Sequence, residues 1–354
     1  MNLIVEAPLN SLSFGNVSYN ILREIYKRKL DIAYFPIGEP DLSSFSPTED
    51  FLAWLRHSLN QRFDALDKDL PTLRLWHLSG SDILRSRNQT LVTFYECNSP
   101  TFIEKKIAGL QSKTLFSSKY ASDQFENSES YTLGFDEDFG LTNKKYLQDR
   151  IHFGLCGKFE KRKHTEKIIK LWLKKYGNNN KYLLSCCITN PFFKPEDMQK
   201  VIGNILEGKY YSNINFIPWL KKNSEMNDFL NAIDIDLTGL SGGEGWNLPA
   251  FNATCLGKWS VVLNETSHKD WANENNSVLV KSNGQQDCED GVFFKKNTEF
   301  NQGTFYTFDD EEAICAMETA ENKVGQINTS GTLMGQIFTY KRTLDEILSV
   351  AKLA

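Results

Sequence analysis

The sequence predicts an α/β protein made of two domains, each built on a doubly wound parallel sheet. Short apolar runs alternate with amphipathic helical segments, and strands separated by helices imply a parallel sheet. A chain of 354 residues is longer than one hydrophobic core normally serves. Residues 134–143 are rich in turn formers and interrupt the alternation. We therefore expect domains at residues 1–145 and 146–335.

The first half opens with a strand at Leu3–Ala7, a loop, and a helix over residues 16–29. Val17, Ile21, Leu22 and Ile25 lie on one face of that helix because they recur at helical spacing. The same alternation continues with strands at 32–35, 73–76, 91–94, 114–116 and 130–133, and with helices at 47–60 and 118–127.

The second half repeats this alternation. Its predicted strands are 151–156, 182–186, 214–217, 233–237, 260–263 and 277–280, and its helices are 163–176, 195–206, 226–231 and 248–255. A helix at 309–324, a Gly/Ser/Thr break at 328–331 and a last helix at about 340–352 complete the chain.

Charge and composition exclude several classes of protein. A formal net charge of -5 argues against capture of nucleic acid over a broad surface. No run approaches the roughly 18 apolar residues of a membrane span, so we expect no membrane span and a cytoplasmic location. Seven cysteines, an odd number without any C-x-x-C pair, argue against a disulfide framework or a zinc site.

The motifs of several enzyme classes do not occur. No G-x-G-x-x-G follows a predicted strand, and H-E-x-x-H, G-x-S-x-G and D-x-D are not found. Gly203–Tyr210 imitates a phosphate-binding loop, but Tyr210 stands where Ser or Thr should bind the metal. We therefore expect neither a metal nor a dinucleotide cofactor.

A glycine-rich stretch surrounds one carboxylate, Glu244, between a predicted strand and a helix that begins near Leu248. We expect its glycines to adopt positive φ and to let the backbone approach a ligand, with amide donors of the helix facing the site. Glu244 would accept hydroxyl groups of that ligand; the alternative is a simple helix cap. The glycines are Gly239, Gly242, Gly243 and Gly245.

A cationic segment, Gly157-Lys-Phe-Glu-Lys-Arg-Lys163, follows the predicted strand at 151–156. Four cations in such a short segment could be a solvated face. However, Lys158 and Lys163 flank a strand-to-helix turn, and a helix start favours an anion. The segment therefore predicts a diphosphate site.

Polar groups also follow three strands of the first half. Ser13-Phe-Gly15 precedes a helix, His77 follows the strand at 73–76, and Tyr95-Glu-Cys-Asn98 follows the strand at 91–94. Open parallel sheets bind ligands at the carboxyl ends of their strands. A structural role for Gly15 and for His77 is the competing interpretation of each.

Together these motifs resemble the GT-B glycosyltransferases, especially the large retaining family of sucrose synthases, glycogen synthases and mannosyltransferases. Gly157–Lys163 is similar to the family's G-R-x-x-x-x-K, with lysine in place of arginine at 158. The stretch from Glu244 to Pro249 is similar to E-G-x-G-L-P, with Asn247 in place of a glycine. Asn252 stands where the family has a second glutamate, which holds the ribose.

The resemblance implies two Rossmann-like domains facing a cleft, with the last helix, 340–354, crossing back to the N-terminal domain. Lys158 and Lys163 would hold the donor diphosphate and Glu244 the sugar, and Gly15 would approach the phosphate. His77 and Tyr95-Glu96 compete for the family's active-site histidine position. The remaining donor-site candidates are Pro218, Trp219 and Leu220 beside the base, and Gly242, Gly243, Gly245, Trp246, Asn247, Leu248 and Asn252.

For Trp219, a place in the core is the alternative. With His77, the residues Lys158, Lys163 and Glu244 are the catalytic candidates.

The implied activity is hexosyl transfer from a nucleoside-diphosphate sugar, by family frequency a UDP-sugar, with retention and without a metal. The acceptor would be a glycan, a small molecule or a modified DNA base, the last on a viral enzyme in the host cytoplasm. A basic stripe at Lys105-Lys106, Lys144-Lys145 and Arg150 could guide DNA. A sugar-nucleotide binding protein without transferase activity is a further alternative.

Overall fold

A computed structural model describes residues 2–142, 145–146 and 149–352. The first sheet has six strands in the order β2-β1-β3-β4-β5-β6, and every pair is parallel. The strands are β1 Leu3–Ala7, β2 Ile32–Pro36, β3 Thr72–Leu75, β4 Gln89–Thr93, β5 Lys113–Phe116 and β6 Ser128–Ser130. Its helices are α1 Ser13–Lys27, α2 Glu49–Asn60, α3 Phe102–Leu110 and α4 Lys119–Ser122.

The second sheet also has six parallel strands, in the order β12-β11-β10-β7-β8-β9. They are β7 Ile151–Cys156, β8 Tyr182–Cys187, β9 Ile214–Phe216, β10 Ile235–Asp236, β11 Trp259–Leu263 and β12 Ser277–Val280. Helices α5 Thr165–Tyr176, α6 Pro195–Ile205, α7 Asn223–Ala232 and α8 Leu248–Cys255 are interleaved with the strands. The fold class predicted from the sequence is therefore confirmed.

A two-stranded antiparallel hairpin, β13 Ser282–Asp287 and β14 Thr304–Phe308, follows the second sheet. Its long connection reaches the first domain. The Asn301 N–H donates to Glu104 of α3 at 2.8 Å, and the Thr304 N–H donates to Asn98 at 2.9 Å. The hairpin and its connection supply Cys288, Phe294 and Phe305 to a buried cluster whose other members belong to the first domain. The hairpin and its connection thus link the second domain to the first.

Three helices end the described chain: α9 Asp310–Glu321, α10 Thr329–Ile337 and α11 Tyr340–Val350. The last of them returns to the first domain, where Leu344 and Ile347 join the core beneath α1 and Asp345 pairs with Arg28 at 2.8 Å. Residues at the end of α11's predicted range, 353–354, lie outside the described part. No helix within the described residues is long and apolar enough to cross a membrane.

Several predicted elements differ from the observed ones. The sequence interpretation missed α3, although its N-terminal Thr101 and Glu104 form a capping box. It also missed the hairpin, and it predicted a break at 328–331 where α10 begins. Residues of low helix propensity form α10 because Asn328 caps the Gly331 N–H and because Gly331 packs directly on the Thr254 carbonyl.

Other boundaries move less. The strand predicted at 130–133 lies at 128–130, and the helix predicted at 118–127 is limited to α4. The last strand of the first sheet ends at Ser130, and the first strand of the second sheet begins at Ile151. The domain boundary near residue 145 stays a prediction, and Asn143 at the end of the predicted linker lies outside the described residues.

Candidate functional site

The carboxyl ends of both sheets face a cleft of about 400 Å³. In the second sheet the chain runs outward from β7 to one edge and from β10 to the other. The loops after these two neighbouring strands therefore diverge, which opens a crevice between them. One loop carries Lys158 and Lys163, and the other carries Glu244. In the first sheet β1 and β3 are related in the same way, and their loops supply the opposite wall.

Glu244 is held by two cations from the loop after β7. Lys163 Nζ lies 2.5 Å from Glu244 Oε1, and Arg162 lies 3.1 Å from Glu244 Oε2. Arg162 also donates to the Gly243 carbonyl. Burial alone would raise the pKa of the Glu244 carboxyl, but the charges of Lys163 and Arg162 outweigh it and hold that pKa below its usual range. Glu244 is therefore a carboxylate at neutral pH.

A second buried carboxylate, Glu160, extends this network. It pairs with Arg162 at 2.8 Å and with Lys158 at 3.1 Å. Burial opposes its ionisation, yet the surrounding cations keep the pKa of Glu160 below its ordinary value. We call these residues, Lys158, Glu160, Arg162, Lys163 and Glu244, the ionic network. Lys158, Arg162, Lys163 and Glu244 of this network line the cleft, whereas Glu160 does not.

The backbone of the loop after β7 determines which cations reach the cleft. Gly157 has a φ of 127°, which side chains rarely adopt, so glycine is needed for this turn. Residues Lys161–Lys163 form a 3-10 turn, and His164 is left-handed with a φ of 54°. The helix α5 thus begins at Thr165, whereas the sequence predicted a start at Lys163. Its first turn lines a neighbouring groove and not the cleft.

The glycines around Glu244 do not play the conformational role expected of them. None of the four, Gly239, Gly242, Gly243 and Gly245, has a positive φ. They permit close packing of protein on protein. A Cβ on Gly242 would lie 2.1 Å from the Tyr306 carbonyl oxygen, and one on Gly243 would lie 2.9 Å from the Glu96 carbonyl oxygen.

A Cβ on Gly245 would lie 2.8 Å from Phe94 Cβ. Residues of the first domain and of the hairpin therefore pack directly against this loop. Glu244 and Gly245 line the cleft, whereas Gly242 and Gly243 lie behind it.

The left-handed residue of this loop is Asn247, with a φ of 67°, immediately before α8. Asparagine tolerates this conformation better than other side chains. Its side-chain NH₂ donates to the Thr238 carbonyl at 3.0 Å and to His268 Nε2 at 2.9 Å. His268 Nδ1 faces the Leu263 carbonyl at 2.8 Å, and burial lowers the pKa of His268 to about 4. His268 is therefore neutral and holds the Asn247 side chain in place. The N-cap residue of α8 is Asn247, so Glu244 is not the helix cap.

Asn252 lies one turn into α8 and lines the cleft. The side chain is buried, and its Oδ1 has no hydrogen-bond partner among the described residues. Buried acceptors without a partner are rare in native proteins. The Asn252 Oδ1 is thus an unpartnered acceptor in the lining of the cleft. Leu248, in the first turn of α8, lines the cleft beside it.

The two tryptophans of the predicted donor site differ in burial. Trp246 lines the cleft but is buried in the core against Phe251. Trp219 is half-buried, lines the cleft and belongs to no buried cluster among the described residues. Leu220 also lines the cleft, whereas Pro218 is exposed and lies outside its lining. The core alternative for Trp219 is wrong.

The opposite wall is aromatic. The ring of Phe14 lies 4.4 Å from the rings of His77 and Phe94, measured between centroids, and 5.8 Å from that of Trp76. His77 remains exposed to the cleft. Desolvation, with the positive charge of Lys158 opposite, lowers the pKa of His77.

Gly15 lies inside α1, where a Cβ would lie 2.3 Å from the backbone carbonyl oxygen of Asn10. It packs the loop after β1 and does not line the cleft.

Tyr95 and Glu96 point in different directions from the end of β4. Tyr95 is buried, and its hydroxyl donates a hydrogen bond to Glu104 of α3 at 3.2 Å. Glu96 lines the cleft, and within the described part of the chain no hydrogen bond or ion pair engages its carboxylate. Desolvation raises the pKa of Glu96, against the opposing charge of Arg162.

The sequence analysis named the segment that contains Arg162 and Glu160 but assigned these two residues no role, whereas it offered Tyr95-Glu96 as one candidate for the family's active-site histidine position. The cationic run Lys161-Arg-Lys163 shows no helical or strand period that would tell which cation is buried, because it folds as a 3-10 turn. No group of three or more potential metal ligands occurs within residues 2–142, 145–146 and 149–352. Metal independence stays a prediction.

No protein-family model and no curated protein matches the chain. Solved structures do match it. Sucrose-phosphate synthase from Thermosynechococcus elongatus has a TM-score of 0.69 at 11% identity, over 99% of this chain and 98% of the other. HepE from Anabaena, solved in complex with UDP and glucose, has a TM-score of 0.67 at 10% identity over 100% of both chains.

The trehalose-6-phosphate synthase OtsA has a TM-score of 0.66 at 10% identity, over 100% of this chain and 99% of the other. These similarities extend over both sheets and the cleft between them. The chain therefore has the GT-B fold, the two-domain architecture of these glycosyltransferases.

Proposed function

We propose that the protein is a glycosyltransferase that moves a hexosyl group from a nucleoside-diphosphate sugar, most simply a UDP-sugar, to an acceptor in the same cleft. The observation that carries this proposal is the ionic network, whose Lys158 and Lys163 lie at a cleft between two GT-B domains. HepE, which shares the fold, was solved with UDP and with UDP-glucose. The donor would lie on the wall formed by the second sheet.

Lys158 and Lys163 would neutralise the charge that develops on the departing diphosphate. Such electrostatic stabilisation acts strongly at a partly buried site, where fixed charges need little reorganisation. The carboxylates that pair with the lysines, Glu160 and Glu244, hold them in place before the donor arrives. A loss of one such cation typically lowers the rate of transfer about 100-fold or more.

Glu244 would serve both Lys163 and the sugar. A carboxylate has two oxygens and about four lone-pair directions. One partner on each oxygen, Lys163 and Arg162, leaves room for hydroxyl donors of the transferred sugar. Asn252, with its unused acceptor, would bind a ribose hydroxyl in place of the family's glutamate. Its bond lacks charge, so we expect weaker ribose binding, by about 1 kcal/mol.

We further propose that the anomeric configuration is retained and that no metal is needed. The acceptor oxygen would attack the front face of the anomeric carbon while the bond to the diphosphate oxygen breaks. The acceptor proton would go to the departing diphosphate, so that no protein nucleophile is required. NMR of the product anomer, in the presence of EDTA, tests both statements. An inverted product or an EDTA-sensitive rate would contradict them.

The first prediction concerns Lys163. Lys163→Met removes the charge with little change in volume, and we expect turnover of UDP-glucose, or of another active UDP-sugar, to fall about 100-fold or more. Lys170→Met is the matched control, because Lys170 lies on α5, is exposed and pairs with Glu166. Equal turnover in the two folded variants would refute the proposed role.

Two alternatives remain predictions. A sugar-nucleotide binding protein would bind UDP-sugars tightly without hydrolysis or transfer. A DNA-modifying enzyme would bind duplex DNA in a salt-dependent manner. Of the basic stripe proposed for DNA, Lys145 pairs with Asp234 at 3.3 Å, and Lys144 lies outside the described residues. Nothing in the described structure favours either alternative over transfer.

A further inference from the structure

The two walls of the cleft differ in charge. The first domain contributes no lysine or arginine to the cleft lining within residues 2–142, and its one carboxylate there is Glu96. The cations of the lining all belong to the second domain, among them Lys158, Arg162 and Lys163. An anion would therefore find its partners on the donor wall, and a phosphate placed against the first domain would face a carboxylate instead.

The wall of the first domain is largely aromatic. Trp76 is half-buried and lines the cleft beside His77, and Phe14 and Phe94 extend the ring surface below them. Aromatic faces carry partial negative charge and attract the weakly positive C–H groups of a ligand. The C–H face of a sugar ring has this character, while its hydroxyl groups point outward to polar partners.

Two polar groups on the same wall have no partner among the described residues. They are the Glu96 carboxylate, for which no hydrogen bond or ion pair is found, and the His77 imidazole, which faces the cleft. A hydroxyl donated to a carboxylate forms a charge-assisted hydrogen bond, which is stronger than a neutral one. Half-buried polar groups normally have partners, so the Glu96 carboxylate indicates a ligand that supplies one. The exposed His77 ring also lines the cleft and is available to the same ligand.

We propose that this wall is the acceptor subsite and that the acceptor is an uncharged sugar. Trp76 packs on the C–H face of the sugar ring, and Glu96 accepts a hydrogen bond from one of its hydroxyls. This assignment rests on the proposed function. In the transfer step the acceptor oxygen gains the bond to the anomeric carbon, the diphosphate oxygen loses it and takes the acceptor proton, and Glu96 only orients the hydroxyl.

The test measures binding of uncharged sugars directly, with and without saturating UDP. Saturation-transfer NMR uses methyl α-glucoside, methyl β-galactoside, N-acetylglucosamine and maltose as probes, and glucose 6-phosphate and duplex DNA as anionic competitors. We expect at least one uncharged sugar to bind. Trp76→Ala and Glu96→Gln should each weaken that binding about tenfold, while the affinity for UDP, measured by calorimetry, changes less than about twofold.

Two further variants separate a ligand contact from a structural role. Trp76→Phe keeps an aromatic face and should retain more sugar binding than Trp76→Ala. Glu129→Gln, at an exposed ion pair with Lys113, is the control for loss of a carboxylate. A thermal melt of each variant shows that it is folded.

The proposal is overturned if glucose 6-phosphate or DNA binds and no uncharged sugar does, or if Trp76→Ala binds sugar like the wild type. A wild type that binds an uncharged sugar through Trp76 but does not bind UDP would contradict the proposed function and leave the sugar site standing.

Discussion

The wall proposed for the donor and the wall proposed for the acceptor differ in how their charged groups are paired. On the donor wall Glu160, Arg162 and Glu244 are buried and pair with one another or with a lysine. On the acceptor wall Glu96 and His77 have no such partners among the described residues. The donor wall is therefore organised before any ligand binds, since its charges already fix each other's positions. On the wall proposed for the acceptor, Glu96 and His77 remain available to a ligand, whereas Asn16 is already bonded to Asn223.

This difference has an energetic consequence. A buried charge with its partners in place contributes to a unique arrangement but is costly to disrupt. A desolvated charge without a partner destabilises the folded protein whenever it is ionised. We therefore expect mutations on the donor wall to lower stability, and mutations of the unpartnered acceptor groups to leave it unchanged or to raise it. Three predictions test this comparison, in addition to those for Lys163 and for Trp76.

The largest effect is expected at Arg162. Arg162→Met leaves the Glu160 and Glu244 carboxylates without their shared buried cation, and breaking a buried pair from one side costs about 3–5 kcal/mol. We expect this loss in the free energy of unfolding, measured with urea at pH 7. Arg87→Met is the control, because Arg87 and Asp69 form an exposed pair worth about 1 kcal/mol or less. Similar losses in both variants would contradict the organising role of Arg162.

Protonation of His268 should make the free energy of unfolding depend on pH. Burial lowers the pKa of His268 to about 4 in the folded protein, whereas an unfolded histidine titrates near 6.5. Between these values the unfolded chain binds more protons than the folded one, so stability is fully present above about pH 6.5 and falls as the pH drops. From pH 7 to pH 5 this residue should account for about 2 kcal/mol.

His268→Gln should lose that part of the pH dependence, while His57→Gln, at an exposed position on α2, should keep it. Unfolding curves at the two pH values measure the difference. An unchanged pH dependence in His268→Gln would show that protonation of His268 does not act on the loop that holds Asn247.

The smallest effect is expected from Glu96→Gln, which gives the most direct contrast between the two walls when it is set against Glu244→Gln. Glu244→Gln removes the partner of Lys163 and Arg162, whereas Glu96→Gln removes a carboxylate whose pKa is raised by desolvation. At pH 7 we expect Glu244→Gln to lower the melting temperature. Glu96→Gln should leave the melting temperature unchanged or raise it, with a gain of about 1 kcal/mol at most in the free energy of unfolding. Equal losses would remove the distinction between the walls.

The parts of the site that could be predicted from the sequence are those that local pattern determines. Lys158, Lys163 and Glu244 follow buried strands, and the carboxyl ends of parallel strands meet at one edge of a sheet. The role of the glycines could not be predicted, because it depends on Tyr306, Glu96 and Phe94, which approach from elsewhere in the chain. Nor does the sequence tell that Arg162, rather than Lys161, turns inward.

The hairpin was missed for a similar reason. Residues 282–287 are polar and mostly exposed, so they lack the apolar alternation by which strands are usually detected. The antiparallel ladder with β14 stabilises them as a strand, and the connection between the two strands contacts α3 through Asn301. A strand that depends on distant partners has little local signal.

The contacts between this hairpin and the first domain affect how the chain folds during synthesis. Cys288, Phe294 and Phe305 complete a cluster that includes Leu91 and Phe116 of the first sheet, yet the ribosome makes these parts far apart in time. The first half emerges with that apolar surface uncovered, and it stays uncovered until most of the second half exists. Such transient exposure favours aggregation or chaperone binding. The two halves are thus coupled in biogenesis, even though each has its own sheet.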